Sequence, residues 1–140
     1  MSIRIAFVSC VKTKQTVAAP AEDLYISSLF LGMRRYAEKY ADAWYILSAE
    51  HGLLRPKSII DPYERTLTKM SKAERVAWAA RVQAQLDEAL PAEATIVLLA
   101  GQRYRELIVP FLQNRGYEVE VPMAGLPFGH QLRWLKEATS

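Results

Sequence analysis

Ala94-Thr95-Ile96-Val97-Leu98-Leu99-Ala100-Gly101-Gln102-Arg103-Tyr104 is the stretch that decides the fold. An unbroken apolar run gives way to small residues, then to polar and cationic ones. Such a run, without polar alternation, reads as a strand buried on both faces, as in a parallel sheet covered by helices. The same succession occurs three more times. Ile3 to Cys10 leads into Val11-Lys12-Thr13-Lys14, Ala43 to Glu50 into His51-Gly52-Leu53-Leu54-Arg55-Pro56, and Tyr117 to Gly125 into Leu126-Pro127-Phe128-Gly129-His130-Gln131.

Helical patterns separate these strands. Ser27 or Ser28 caps a helix from about Leu29 to Tyr40, with Phe30, Met33, Tyr36, Ala37 and Tyr40 at helical spacing. Ser71-Lys72-Ala73-Glu74 is a capping box that opens a helix to about Leu90. Val76, Ala79, Ala80, Gln83, Leu86 and Leu90 form its expected stripe, and Pro91 closes it. A third helix spans about Gln102 to Arg115, interrupted by Pro110 and stopped at Gly116. A last one runs from about Gly129 to Glu137. The stretch from His51 to Met70, with Pro56 and Pro62, reads as irregular.

The order β-α-β-α-β-α-β-α predicts right-handed crossovers and one α/β/α domain over residues 1–140. Its four-stranded sheet is mostly parallel, with strand order 2-1-3-4. That order puts a switch point between the first and third strands. Open α/β sheets bind ligands at such a point, outside the carboxyl ends of the strands.

The composition is that of a soluble domain: 140 residues, 51% apolar, 24% charged, net charge +3. No apolar run approaches the roughly 20 residues of a membrane-spanning helix, so no membrane partner is expected. The N-terminus runs directly into a strand, and the single cysteine excludes an internal disulfide; both favour a reducing, cytoplasmic setting. Two histidines, one cysteine and no carboxylate cluster give no metal site, and no other cofactor is expected. Lys12, Lys14, Arg55, Lys57, Arg65, Lys69, Arg103 and Arg105 all follow strand ends. In a parallel sheet many of them share one edge and attract an anion; basic residues also simply populate solvated loops.

The candidate chemistry follows from those strand ends. Ser9, Cys10, Lys12, Thr13 and Lys14 combine hydroxyls, a thiol and ammonium groups, without the glycines of a phosphate loop. Cys10 beside two lysines is a candidate nucleophile, or a small buried filler. Ser48 and Gly52 allow a backbone or ligand to come close. His51 is a candidate acid or base near neutral pH, oriented by Asp61; alternatively it braces the loop. Tyr63 offers a ring for stacking. Gly101, Arg103 and Tyr104 open a helix whose amides would face a phosphate. Gln131, behind a glycine-bounded loop, would read an amide or base edge. No nucleophile elbow is present.

Five short motifs carry a family resemblance: Ser9-Cys10-x-Lys12, Tyr25-x-Ser27-x-Leu29-Phe30, Leu47-Ser48-Ala49-x-His51-Gly52-Leu53-Leu54, Pro62-Tyr63 and Leu99-Ala100-Gly101-x-x-Tyr104. Together they resemble a family of small bacterial and phage proteins of uncharacterised function, over nearly the whole chain. Ser48, Gly52, Leu53, Leu54, Pro62 and Tyr63 also resemble a segment of the YaaA peroxide-stress family, which is associated with DNA binding and protection against oxidative damage. This chain is much shorter and lacks an obvious helix-hairpin-helix insertion. A similar stretch occurs in domains attached to enzymes of modified-base tRNA synthesis. These likenesses imply a nucleotide, modified-base or nucleic-acid ligand. The expected function is binding at the sheet's carboxyl edge, with glycosidic-bond hydrolysis or base exchange as the first reaction class. A non-catalytic DNA- or RNA-binding module is the alternative. A protein-interaction domain displaying Trp78 and Trp134 is a third reading, although their helical spacing suits a core. Whether the domain is catalytic, and its oligomeric state, stay open at this point.

Overall fold

A computed structural model describes residues 3–9 and 14–140. In chain order the elements are β1 (Arg4–Ser9), β2 (Ala19–Pro20), α1 (Ala21–Leu24), α2 (Ser28–Tyr40), β3 (Ala43–Ser48), β4 (Gly52–Leu54), β5 (Ile59–Ile60), a 3-10 turn (Leu67–Lys69), α3 (Lys72–Ala89), β6 (Thr95–Leu99), α4 (Gln102–Asn114), β7 (Glu118–Glu120) and α5 (Phe128–Thr139).

The main sheet has the order β4-β3-β1-β6-β7. β1 pairs in parallel with β3 and β6, and β6 with β7, while β4 is antiparallel to β3. The four strands expected from sequence therefore take the order 2-1-3-4, and the first and third are neighbours. Both faces are covered. Ile5, Phe7, Leu47, Ile96 and Leu98 meet Trp78, Val82 and Leu86 of α3 and Ile108 and Leu112 of α4. Ala6, Val8, Ile46, Val97 and Leu99 meet Phe30, Met33 and Ala37 of α2 and Leu135 of α5. The period-2 alternation of a strand thus sends successive apolar residues into two different cores, so no polar alternation is needed.

Local chemistry sets the helix ends. Ser71 and Glu74 form the reciprocal capping box: the Ser71 hydroxyl accepts from the Glu74 amide, and the Glu74 carboxylate accepts from the Ser71 amide. The Ser27 hydroxyl accepts from the Phe30 amide at the start of α2. Gly116 follows α4 at φ +88°, a conformation few side chains tolerate.

Three local expectations need correction. The stretch from His51 to Met70 is not wholly irregular: it holds β4, β5 and a 3-10 turn, and β5 pairs with β2 in a small second sheet. Strands of two or three residues are too short to carry a periodic signal. The segment from Tyr117 to Gly125 is strand only over Glu118–Glu120. Pro122 lacks the amide that would extend the ladder, and the chain turns instead, with the Ala124 amide donating to the Val121 carbonyl. On α3 the buried stripe is Trp78, Ala79, Val82 and Leu86, whereas Val76 and Ala80 face solvent. Trp78 sets that phase: it is 4% exposed, and its indole N–H donates to the Ser48 carbonyl. Trp134 is half-buried against Tyr36, with ring centroids 5.0 Å apart.

Candidate functional site at the carboxyl edge of the sheet

The turn after β3 is organised around one hydroxyl. Ser48, at the strand's last position, is 0% exposed. Its Oγ accepts from the amides of Glu50 at 3.2 Å and His51 at 3.0 Å. A serine bonding the backbone two and three residues on is a local turn-former, which is why the chain reverses here. Gly52 completes the reversal at φ +72° and starts β4.

α3 holds this turn from the other side. The Trp78 indole donates to the Ser48 carbonyl. Arg81 donates to the carbonyls of Glu50 and His51 at 3.0 and 2.9 Å. The Gln85 Oε1 accepts from the Leu53 amide at 2.9 Å. Spacings of three, four and seven residues put all three side chains on one helix face. A side chain at Gly52 would place its Cβ 2.4 Å from the Gln85 Oε1. The glycine thus lets α3 approach closely. Ser48 and Gly52, expected as ligand contacts, both shape this turn.

Against the turn lies a pair of tyrosines. Ser48 donates to the Tyr63 hydroxyl at 2.7 Å, and the Tyr63 and Tyr25 hydroxyls share a hydrogen bond of 2.6 Å. Tyr25 is fully buried and Tyr63 half-buried. The Lys14 Nζ stands 4.5 Å from the Tyr63 ring centroid and 5.8 Å from that of Tyr25. The His51 ring meets Tyr63 edge-on at 5.6 Å. Asp61 is exposed, and no hydrogen bond or ion pair joins it to His51. Tyr63, not Asp61, is the polar neighbour of the histidine. Tyr25 was missed as a site residue, although the motif it opens was visible.

A cleft of about 340 Å³ opens where β1 and β6 end. It is bordered by Ser9 of β1, by Ala100, Gly101, Gln102, Tyr104 and Arg105 after β6, by Met123, Gly125 and Leu126 after β7, and by Leu29 and Met33 of α2 and Gln131 of α5. This is the switch point: α2 covers one face of the sheet, α3 and α4 the other, so the connections diverge here. Ser9 is 7% exposed, and its hydroxyl bonds to no described residue. α4 begins at Gly101 without a side-chain cap, and the Tyr104 and Arg105 amides are the first to find a carbonyl, that of Gly101. The Arg105 Nε is buried with no hydrogen-bond partner. Gln131 holds the loop through its Nε2, donating to the Leu126 carbonyl at 2.8 Å.

Of the expected ligand residues, Ser9, Gly101, Tyr104 and Gln131 border the cleft. Arg103 does not; it pairs with Glu106 on the outer side of α4, and Arg105, two residues on, borders the cleft instead. A helix turns about 200° in two residues, which separates the two guanidinium groups. Cys10, Lys12 and Thr13 lie outside the described residues. The expected cationic edge is partly neutralised: Lys57 pairs with the buried Glu22, Arg65 with Glu74, and Arg103 with Glu106. The hydrogen bond to Glu22 raises the Lys57 ammonium above its ordinary value. Among the described residues no group of three or more His, Cys, Asp and Glu side chains is placed to hold a metal ion, and no helix is long and apolar enough to cross a membrane.

Comparison with known proteins agrees with the resemblance to a family of uncharacterised function. The chain is 31% identical to the uncharacterized protein YfjM of Bacillus subtilis (strain 168), over 112 residues that take in 75% of this chain and 74% of that one. The model of the family of unknown function DUF6884 matches residues 5–137, and the chain belongs to that family.

Proposed function

We propose that this domain binds a nucleotide or a modified base in the cleft at the β1–β6 switch point. One observation carries the reading: an unpartnered Arg105 Nε, a Ser9 hydroxyl with no hydrogen bond among the described residues and the uncapped start of α4 meet at a single opening. Free helix amides and a guanidinium together suit a phosphate or another anion. The flexible Leu29, Met33, Met123 and Leu126 side chains suit the face of a base. Gln131 supplies a fixed amide for its edge. The volume lies at the small end of ligand pockets, which run from roughly 300 to 1,000 Å³, and fits a mononucleotide better than a dinucleotide.

Glycosidic-bond hydrolysis or base exchange is the reaction class to assay on any ligand found. The test is a thermal-shift panel of bases, nucleosides, nucleotides and short oligonucleotides at low and high salt. Stabilisation by a mononucleotide that survives salt is the expected result. Stabilisation by oligonucleotides alone, lost at high salt, would replace the pocket with a backbone-reading nucleic-acid surface.

A further inference from the structure

We propose that Tyr63 is the acid–base group of this domain, working as a phenolate held by Ser48, Tyr25 and Lys14. The inference uses none of the cleft residues above, so it stands or falls separately from the nucleotide reading.

Proton bookkeeping leads to it. A serine hydroxyl has one proton and two lone pairs. Two backbone amides occupy the Ser48 oxygen, so its proton is directed at Tyr63. Tyr25 is the second hydroxyl on the Tyr63 oxygen and can donate to it without moving. The Lys14 ammonium stands over the Tyr63 ring. Hydrogen bonds donated to an oxygen favour the ionised form, as does a positive charge close to the ring that carries it. The two O···O distances of 2.7 and 2.6 Å suit either a neutral phenol or an oxyanion, so the titration below decides between them. His51 meets the Tyr63 ring edge-on. The neighbouring carboxylates Asp61 and Glu64 are exposed and neither bonds to the phenol, so neither opposes its ionisation through a hydrogen bond.

The segments that build the arrangement come from three separate motifs. Ser48 ends β3, Tyr63 follows Pro62, and Tyr25 follows α1. Lys14 reaches the tyrosines because it forms a β-bridge with Tyr25.

The step is a proton transfer. The Tyr63 phenolate takes the proton of a ligand O–H or ring N–H. That bond breaks with its electron pair left on the ligand heteroatom, and neutral Tyr63 forms. The reverse step returns the proton. The chemical class of ligand is one with an ionisable hydroxyl or ring N–H.

The test is an ultraviolet absorbance titration of the seven tyrosines. One tyrosine is expected to ionise at least about one pH unit below the ordinary value of about 10. That step disappears in Tyr63→Phe and moves upward in Ser48→Ala and in Lys14→Met. Circular dichroism establishes that each variant is folded. Nuclear magnetic resonance of carbon-labelled tyrosine in the unsubstituted protein reads the same ionisation if Tyr63→Phe does not fold. Absence of any early step, or an early step that persists in Tyr63→Phe, overturns the proposal.

Discussion

Ser48 and Tyr63 are joined by a hydrogen bond of 2.7 Å whose direction is fixed, because the serine oxygen already accepts from the amides of Glu50 and His51. The bond links the last residue of β3 to a loop fifteen residues on, and it connects the turn's architecture with its chemistry. Replacing Ser48 with Ala strands two amides and removes the donor to Tyr63. A loss of about 1–3 kcal/mol in unfolding free energy is expected, measured by urea denaturation.

Gly52 answers to a different constraint. Its φ of +72° costs an L-residue about 1–2 kcal/mol, and a Cβ would also push aside the Gln85 Oε1 that accepts from the Leu53 amide. Gly52→Ala is therefore expected to destabilise by more than the backbone cost alone. Gly52→Ala combined with Gln85→Ala relieves the collision but not the backbone strain, and the double variant stays less stable than Gln85→Ala. Equilibrium unfolding of the three variants resolves the two contributions.

Much of this was legible in the sequence. The buried strands β1, β3 and β6 announced themselves because a strand covered on both faces has no polar alternation to hide it. The capping box at Ser71 and Glu74 was legible because both partners are local. What escaped was long-range. β4 is three residues long and takes its identity from pairing with β3. The roles of Ser48 and Gly52 depend on Trp78, Arg81 and Gln85, some thirty residues away in sequence. Arg103 and Arg105 are indistinguishable until the phase of α4 is known.

Those two arginines give a matched comparison. Arg105→Met removes the half-buried guanidinium at the cleft and should weaken binding of a nucleoside monophosphate about tenfold or more, as expected for a charge-assisted hydrogen bond. Arg103→Met removes an exposed ion pair with Glu106 and should leave that affinity nearly unchanged. Isothermal titration calorimetry of both variants tests the assignment; equal losses would place the ligand elsewhere on α4.

The start of α3 carries a pH dependence with a definite sign. The Ser71 amide, donating to the Glu74 carboxylate, holds that carboxyl below its usual range, and the Ser71 hydroxyl and Arg65 act in the same direction. A carboxyl depressed in the folded state contributes stability that is present above its unfolded value and lost as pH falls through its folded value. Glu74→Gln should therefore be less stable than the parent at neutral pH, with the difference narrowing in acid. Denaturation at neutral and acidic pH measures the gap.

The central claim is a ligand site at the switch point, and its most direct test is a backbone amide map of the labelled protein titrated with nucleoside monophosphates. The account predicts shifts that saturate and cluster at Ser9, Gly101, Gln102, Arg105 and Gly125, around the cleft, and that persist at high salt. Shifts confined to exposed basic residues and abolished by salt, or no shifts at all, would contradict it.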